Sequence, residues 1–214
     1  MNVENVFGRF FRYEKRHGWT ATLKRLALAA RRGIHQNRYV LFYCDLKPDR
    51  RRPLPELPGA VIEQKNDLSE LTDGEMKRLS ETSSLKLTRR LFSERFSRHA
   101  SLWLLKVDGV SAGYGWSISG GTMEPYFFQP GIHDAHLFDF FIFPEFRGQQ
   151  LNPFLLRYIL AQLADAHITR AYIEAAEWNT SQLRSLSRTP FTRSGLARKL
   201  SVFNQTIVFW NKQH

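Results

Sequence analysis

Residues 136–156, HLFDFFIFPEFRGQQLNPFLL, leave the chain few ways to fold around them. A short, strongly apolar run reads as a strand, and Pro144 stops it because proline has no N–H to give to a ladder. A polar stretch with Arg147-Gly148 follows, and an apolar pattern of helical period then begins. This order sets the N-terminus of a helix just past the end of a strand. Helix N-termini carry unpaired N–H groups and a partial positive charge, so a polar loop there is an anion site suited to a pyrophosphate. Gly148 lets the backbone come close, and Arg147 adds a charged donor. Asn152 is expected as N-cap with Pro153 at the first helical position, which leaves residues 148–152 to supply the N–H donors.

The flanking sequence alternates extended and helical patterns. Residues 38–46 (RYVLFYCDL) read as a buried strand, and residues 47–59, with four prolines and four Lys/Arg, as a loop. A short strand is expected over 61–64. Helices are expected over 67–79, capped by Asp67 or Ser69, and over 85–99. Residues 101–107 and 110–119 form a hairpin around Asp108-Gly109, a pair that tolerates positive φ at both central positions. Further on, 124–129 is expected as an edge strand, 153–167 as a helix, 171–176 as a strand, 180–188 as a helix and 202–210 as a final strand. Strands that follow hairpins, mixed with strands that follow helices, predict an α/β (α+β) domain on one mixed sheet.

Charge divides the chain. Residues 1–52 hold 13 Lys/Arg against 4 Asp/Glu, whereas residues 53–214 hold 18 against 16. Of the net charge of +11, the N-terminal segment thus carries +9 (13 − 4). There, Val3, Val6, Phe7, Phe10 and Phe11, then Trp19, Leu23, Leu26, Ala27, Ala30 and Ile34, recur at helical spacing among arginines and lysines. The expected organisation is a basic amphipathic helical extension plus first strand over 1–52, and a catalytic domain over 53–214. Such an extension favours anionic partners: a membrane surface or another polyanion, with nucleic acid the less favoured. No run of about 18 apolar residues marks a membrane span. The one cysteine, Cys44, excludes an internal disulfide and is expected as a buried, inert thiol. Together these favour the cytosol, with peripheral membrane contact through residues 1–52. No phosphate-binding Gly-Lys-Ser/Thr and no metal-ligand spacing occurs, so no metal is expected.

The stretch around Arg147-Gly148 resembles motif A of the GNAT superfamily, Arg/Gln-x-x-Gly-x-Gly/Ala after a strand. Arg147 matches its first position; Gln150 and Asn152 stand where the family has Gly and Gly/Ala. Downstream, residues 171–176 followed by WNTSQLRSLSRTPF resemble the family's fifth strand, its cofactor-binding Asn (Asn179) and the Phe that opens its last hairpin (Phe191, after Pro190 in place of Gly). The resemblance covers roughly residues 60–210. It implies a mostly antiparallel central sheet flanked by helices, and N-acyl transfer from acyl-CoA, acetyl-CoA by default, to an amine attacking the thioester directly. It implies that the fourth and fifth strands splay to admit the pantetheine. Phe141, Ile142 and Phe143 would line that arm; Arg147, Gly148, Gln149, Gln150, Leu151 and Asn152 would hold the pyrophosphate. Candidate bases are His136, at the start of the fourth strand, Asp139, a carboxylate inside an apolar strand, and Glu174 in the fifth. The tyrosine that many members use to protonate the leaving thiolate is replaced by Leu186, leaving solvent, Tyr158 or Tyr172. The acceptor classes are amino sugars, small amines and protein amines, for a monomer or homodimer. A basic run before Tyr-Val-Leu-Phe also resembles GNAT-like proteins associated with bacterial exopolysaccharide production. A member of the fold that has lost catalysis is the alternative.

Overall fold

The computed structural model describes residues 38–46, 57–81, 83–123, 126–202 and 205–212. The basic helices expected before residue 38 lie outside the described residues. Strands β1 (Arg38–Asp45) and β2 (Ala60–Lys65) come first, then helices α1 (Asp73–Leu79) and α2 (Leu85–Ser97). Strands β3 (Ser101–Val107), β4 (Val110–Ser119) and β5 (Asp134–Ile142) lead into α3 (Leu151–Asp165). The chain continues through β6 (Arg170–Ala176), α4 (Thr180–Leu186), β7 (Thr192–Val202) and β8 (Gln205–Lys212). The strands form one sheet in the order β2-β3-β4-β5-β6-β1-β7-β8. Every neighbouring pair is antiparallel except β5 and β6, which are joined through α3 and run parallel.

Local chemistry sets most boundaries. Asp108 and Gly109 both take positive φ, 49° and 78°, as a tight hairpin between β3 and β4 requires. The helix expected over 67–79 is broken. Asp67 caps a short 3-10 turn, Leu68–Glu70, and α1 starts only after Thr72, whose hydroxyl accepts from Glu75 N–H while the Glu75 carboxylate accepts from Thr72 N–H. That reciprocal cap fixes the start more firmly than either expected cap. Ser84 caps α2, accepting from Leu87 N–H. The final strand expected over 202–210 is two strands, β7 and β8, paired from Gly195↔Lys212 to Val202↔Gln205. No strand forms over the described part of 124–129. Phe127 packs there with Leu41 and Ala197 instead of joining an edge.

Alternation along the strands sends residues to two layers. On one face Leu137, Ile173 and Ala175 meet Leu151, Leu155, Leu156 and Ile159 of α3 and Leu186 of α4. On the other, α1 and α2 lay Met76, Leu79, Phe92 and Phe96 over Leu102, Leu104 and Trp116. Beside them the 126–128 segment covers β1 and β7.

β1 does not stand outside this sheet. It pairs with β6 from Tyr39↔Ala176 to Asp45↔Arg170 and, on its other edge, with β7 from Arg38↔Arg198 to Tyr43↔Thr192. Cys44 is buried at its end.

Candidate active site at the fork of two parallel strands

The parallel pairing of β5 with β6 stops at Leu137↔Ile173, although β5 runs on to Ile142 and β6 to Ala176. The two strands therefore fork. A bulge in β5 marks the place: Trp116 pairs with Phe138 and Tyr114 with Phe141, so Asp139 and Phe140 together oppose Gly115. Asp139 takes φ 51°. The bulge reverses the alternation beyond it. Leu137, Phe140 and Ile142 face α3, while His136, Phe138 and Phe141 face the other side. Gly113 and Gly115 of β4 allow this close approach. A Cβ at Gly113 would lie 2.7 Å from the Phe141 carbonyl oxygen, and one at Gly115 would run into the Phe140 ring. Past the bulge Phe143 N–H donates to the Ala112 carbonyl. Its neighbour Ile142 thus turns its own N–H and carbonyl toward the fork.

The loop after β5 is held from α1. Arg78 pairs with Glu145, and its guanidinium lies 3.8 Å over the Phe143 ring. The Glu145 carboxyl is held below the usual range by its own backbone hydrogen bond and by Arg78. Arg147 is exposed and donates from Nε to the Ile142 carbonyl at 3.1 Å, which leaves the end of its guanidinium free of that bond. Gly148 takes φ 85°, and a Cβ there would meet nothing within 4 Å.

Asn152 is not the N-cap. Gln150, at φ 58°, occupies that position with no side-chain cap bond, Leu151 opens the helix, and Pro153 falls in its first turn. The reason lies in the core: Leu151 is buried with Leu155, and Asn152 turns away to donate from Nδ2 to Ser185 Oγ on α4 at 2.8 Å. With no side chain bonded to the first-turn N–H groups and no acidic residue in that turn, the loop end is open to an anion. Gln149 is exposed beside it.

The three candidate bases part company. His136, expected at a strand end, is only 5 % exposed. Its Nε2 lies 2.9 Å from Glu174 Oε2, so the dyad straddles the last rung before the fork. Burial pushes the Glu174 carboxyl up. The facing imidazole, the hydrogen bond from it and the Lys199 charge outweigh that and leave it below its ordinary value. An ionised carboxylate only accepts, so Nε2 carries the proton that faces it, and in the neutral ring the lone pair then falls on Nδ1. Nδ1 is buried without a hydrogen-bond partner. The Tyr126 ring stands 4.6 Å from the imidazole. Its hydroxyl, pushed well up by burial and by Glu174, is also buried and makes no hydrogen bond of ordinary geometry. Asp139 is elsewhere, paired with Arg95 of α2 at 2.6 Å.

Asn179 caps α4, accepting from Gln182 N–H at 3.1 Å and donating to Gln182 Oε1 at 3.2 Å; Gln182 in turn donates to the Glu174 carbonyl. Leu186 is fully buried in the core, and Tyr158 packs on Trp103, 6.4 Å between rings. Tyr172 packs on Phe128. Sequence reasoning missed Tyr126 and Lys199, which reach the dyad only through the fold. It also missed Arg95, although Thr88, Phe92, Arg95 and Phe96 share one helical face and show an arginine on an apolar stripe. Among the described residues no cluster of His, Cys, Asp and Glu is set to hold a metal, and no helix is long and apolar enough to cross a membrane.

A family model described as the acetyltransferase (GNAT) family matches residues 67–186. Similar solved structures include an acetyltransferase from the GNAT family from Colwellia psychrerythraea, at 13 % identity and TM-score 0.53, covering 83 % of this chain and 56 % of that one. Another is a GCN5-related N-acetyltransferase from Sphaerobacter thermophilus, at 15 % and 0.51, covering 82 % and 54 %. A third is a GCN5-related glucosamine N-acetyltransferase region of a fungal multi-domain GH3 beta-N-acetylglucosaminidase, at 11 % and 0.51, covering 82 % and 22 %. At these identities the likeness is one of fold, and the chain spans little more than half the length of the first two. No curated protein matches the sequence.

Proposed function

Because the chain belongs to the acetyltransferase (GNAT) family, we propose that it transfers an acyl group, by default acetyl, from acyl-CoA to an amine acceptor. The thioester supplies an acyl group already activated toward direct attack by the amine. The observation that carries the reading is the His136–Glu174 dyad at the fork, with a buried Nδ1 that has no hydrogen-bond partner. A base held in one tautomer by a buried carboxylate is the arrangement that proton removal near neutral pH requires. Because the ring is buried, the acceptor proton reaches Nδ1 through a bridging water. Glu174 keeps the imidazolium compensated.

The residues of the loop fit a diphosphate. The N–H groups of residues 148–152, Pro153 excluded, and the Arg147 guanidinium would hold it, while Phe141, Ile142 and Phe143 would border the pantetheine arm. Asn179 and Asn152 act here by fixing α4 against β6 and α3. The leaving thiolate takes its proton from solvent, since Leu186 offers none. Amino sugars are the first acceptors to try, given the resemblance of the N-terminal segment to exopolysaccharide-associated GNAT-like proteins; small amines and protein amines follow.

The test is acetyl-CoA binding by calorimetry together with thiol release against a panel of amines. Arg147→Ala should weaken binding by roughly tenfold or more, the cost of a charged hydrogen-bond donor. Arg157→Ala, in the body of α3, should not. Equal effects would remove the diphosphate from this loop. His136→Ala should keep binding and lose about a hundredfold or more in transfer. Binding without transfer to any amine would favour the second reading, a binding module of this fold, for which the buried Leu186 is the supporting observation.

A further inference from the structure

We infer that the Arg95–Asp139 ion pair holds the bulge at which β5 leaves β6, which makes Arg95 a positioning residue for the donor arm. The inference rests on the acyl-CoA reading only for what the bulge serves. Asp139 stands at φ 51°, a region that costs a non-glycine residue about 1 kcal/mol or more and persists only where its surroundings hold it. Arg95 is what holds it. Arg95, on α2, is only 9 % exposed, and its guanidinium lies 4.8 Å from the Trp116 ring and 5.3 Å from the Phe138 ring. From there its NH1 reaches Asp139 Oδ2 at 2.6 Å, a charge–charge contact whose N–H does not aim along the line.

An arginine buried among aromatic rings is expensive without a counter-charge, and Asp139 supplies it. Asp139 itself is 43 % exposed in its side chain, so solvent alone would satisfy its carboxylate in any backbone conformation. The need thus runs from Arg95 toward the bulge. The nearby Tyr114 hydroxyl, raised to about 12 chiefly by burial and then by the Asp139 charge, stays neutral and does not compete for Arg95. Losing the bulge would restore simple alternation and turn Phe140 and Phe141 to the opposite faces. It would also carry the Ile142 N–H and carbonyl away from the fork. The pair therefore ties α2 to the backbone that the donor arm needs.

The experiment uses the full chain and four variants: Arg95→Met, which keeps the apolar stem between the rings, Asp139→Ala, Asp139→Gly and Asp139→Asn. Two quantities are read: amide exchange over residues 138–143 without ligand, and acetyl-CoA affinity by calorimetry. Arg95→Met and Asp139→Ala should speed exchange and weaken binding by about tenfold each, and the double variant should be no worse than the weaker single. Asp139→Gly should recover much of both, since glycine takes positive φ freely; a merely structural salt bridge would show no such rescue. If Arg95→Met does not fold, the three exposed-site variants carry the test. Exchange and affinity both unchanged in Asp139→Ala and, where it folds, in Arg95→Met, whatever their melting temperatures, would overturn the inference. A native chain that fails to bind acetyl-CoA would sink the acyl-CoA reading and leave exchange alone to decide whether the pair holds the bulge.

Discussion

At the scale of single residues, the dyad has a consequence for acid stability. The Glu174 carboxyl is held below the 4.5 of a free glutamate, mainly by His136 and Lys199 acting against burial. A depressed carboxyl contributes stability that is complete above the unfolded value and lost as pH falls through the folded one. Glu174→Gln should therefore be less stable than the native chain at neutral pH, and the gap should narrow in acid, as pH falls below 4.5. Urea denaturation at the two pH values reads this; a gap independent of pH would place the carboxyl in ordinary surroundings. Much of this site was legible in the order of residues. His136 and Glu174 stood on strands whose adjacency the motif implied, and Arg147 and Gly148 stood where loop and helix meet. Tyr126 and Lys199 were not legible, because they come from a non-repetitive loop and a distant strand. Asp139 was legible only as a misfit: a carboxylate in an apolar run needs a counter-charge, and α2 provides it from 44 positions upstream, at Arg95.

At the scale of elements, the glycines of β4 are as much a part of the fork as the bulge they face. Gly115→Ala would drive a methyl into the Phe140 ring. Overpacking of this kind costs about 1–3 kcal/mol. The expected outcome is a lower thermal midpoint, with Phe140→Leu in the Gly115→Ala background recovering part of the loss by clearing the ring. The hairpin between β3 and β4 was readable because two adjacent residues dictate it. The start of α3 was not, because Asn152 is the better cap by type, yet burial of Leu151 and the bond to Ser185 draw the helix two residues earlier. The 3-10 turn before α1 escaped for a similar reason. Three polar residues, Asp67, Ser69 and Thr72, each offer a cap, and only the reciprocal Thr72–Glu75 bond decides between them.

At the scale of the molecule, β1 is the piece that local patterns could not place. RYVLFYCD reads as a strand anywhere, but nothing in it says that its two neighbours are β6 and β7. Both of its edges are paired, and Leu41 stands opposite Glu174, so the N-terminal strand backs the dyad. A chain that begins at residue 47 would leave two strand edges bare and the Leu41–Phe127–Ala197 cluster open. It should lose its cooperative melting transition by circular dichroism; retention of a sharp transition would show that β1 is dispensable. There is a consequence for how this protein is made. Tyr39 leaves the ribosome well before its partners Ala176 and Ala197. The first strand must wait, unpaired, until both partner strands have been synthesised, and the sheet can close only after that.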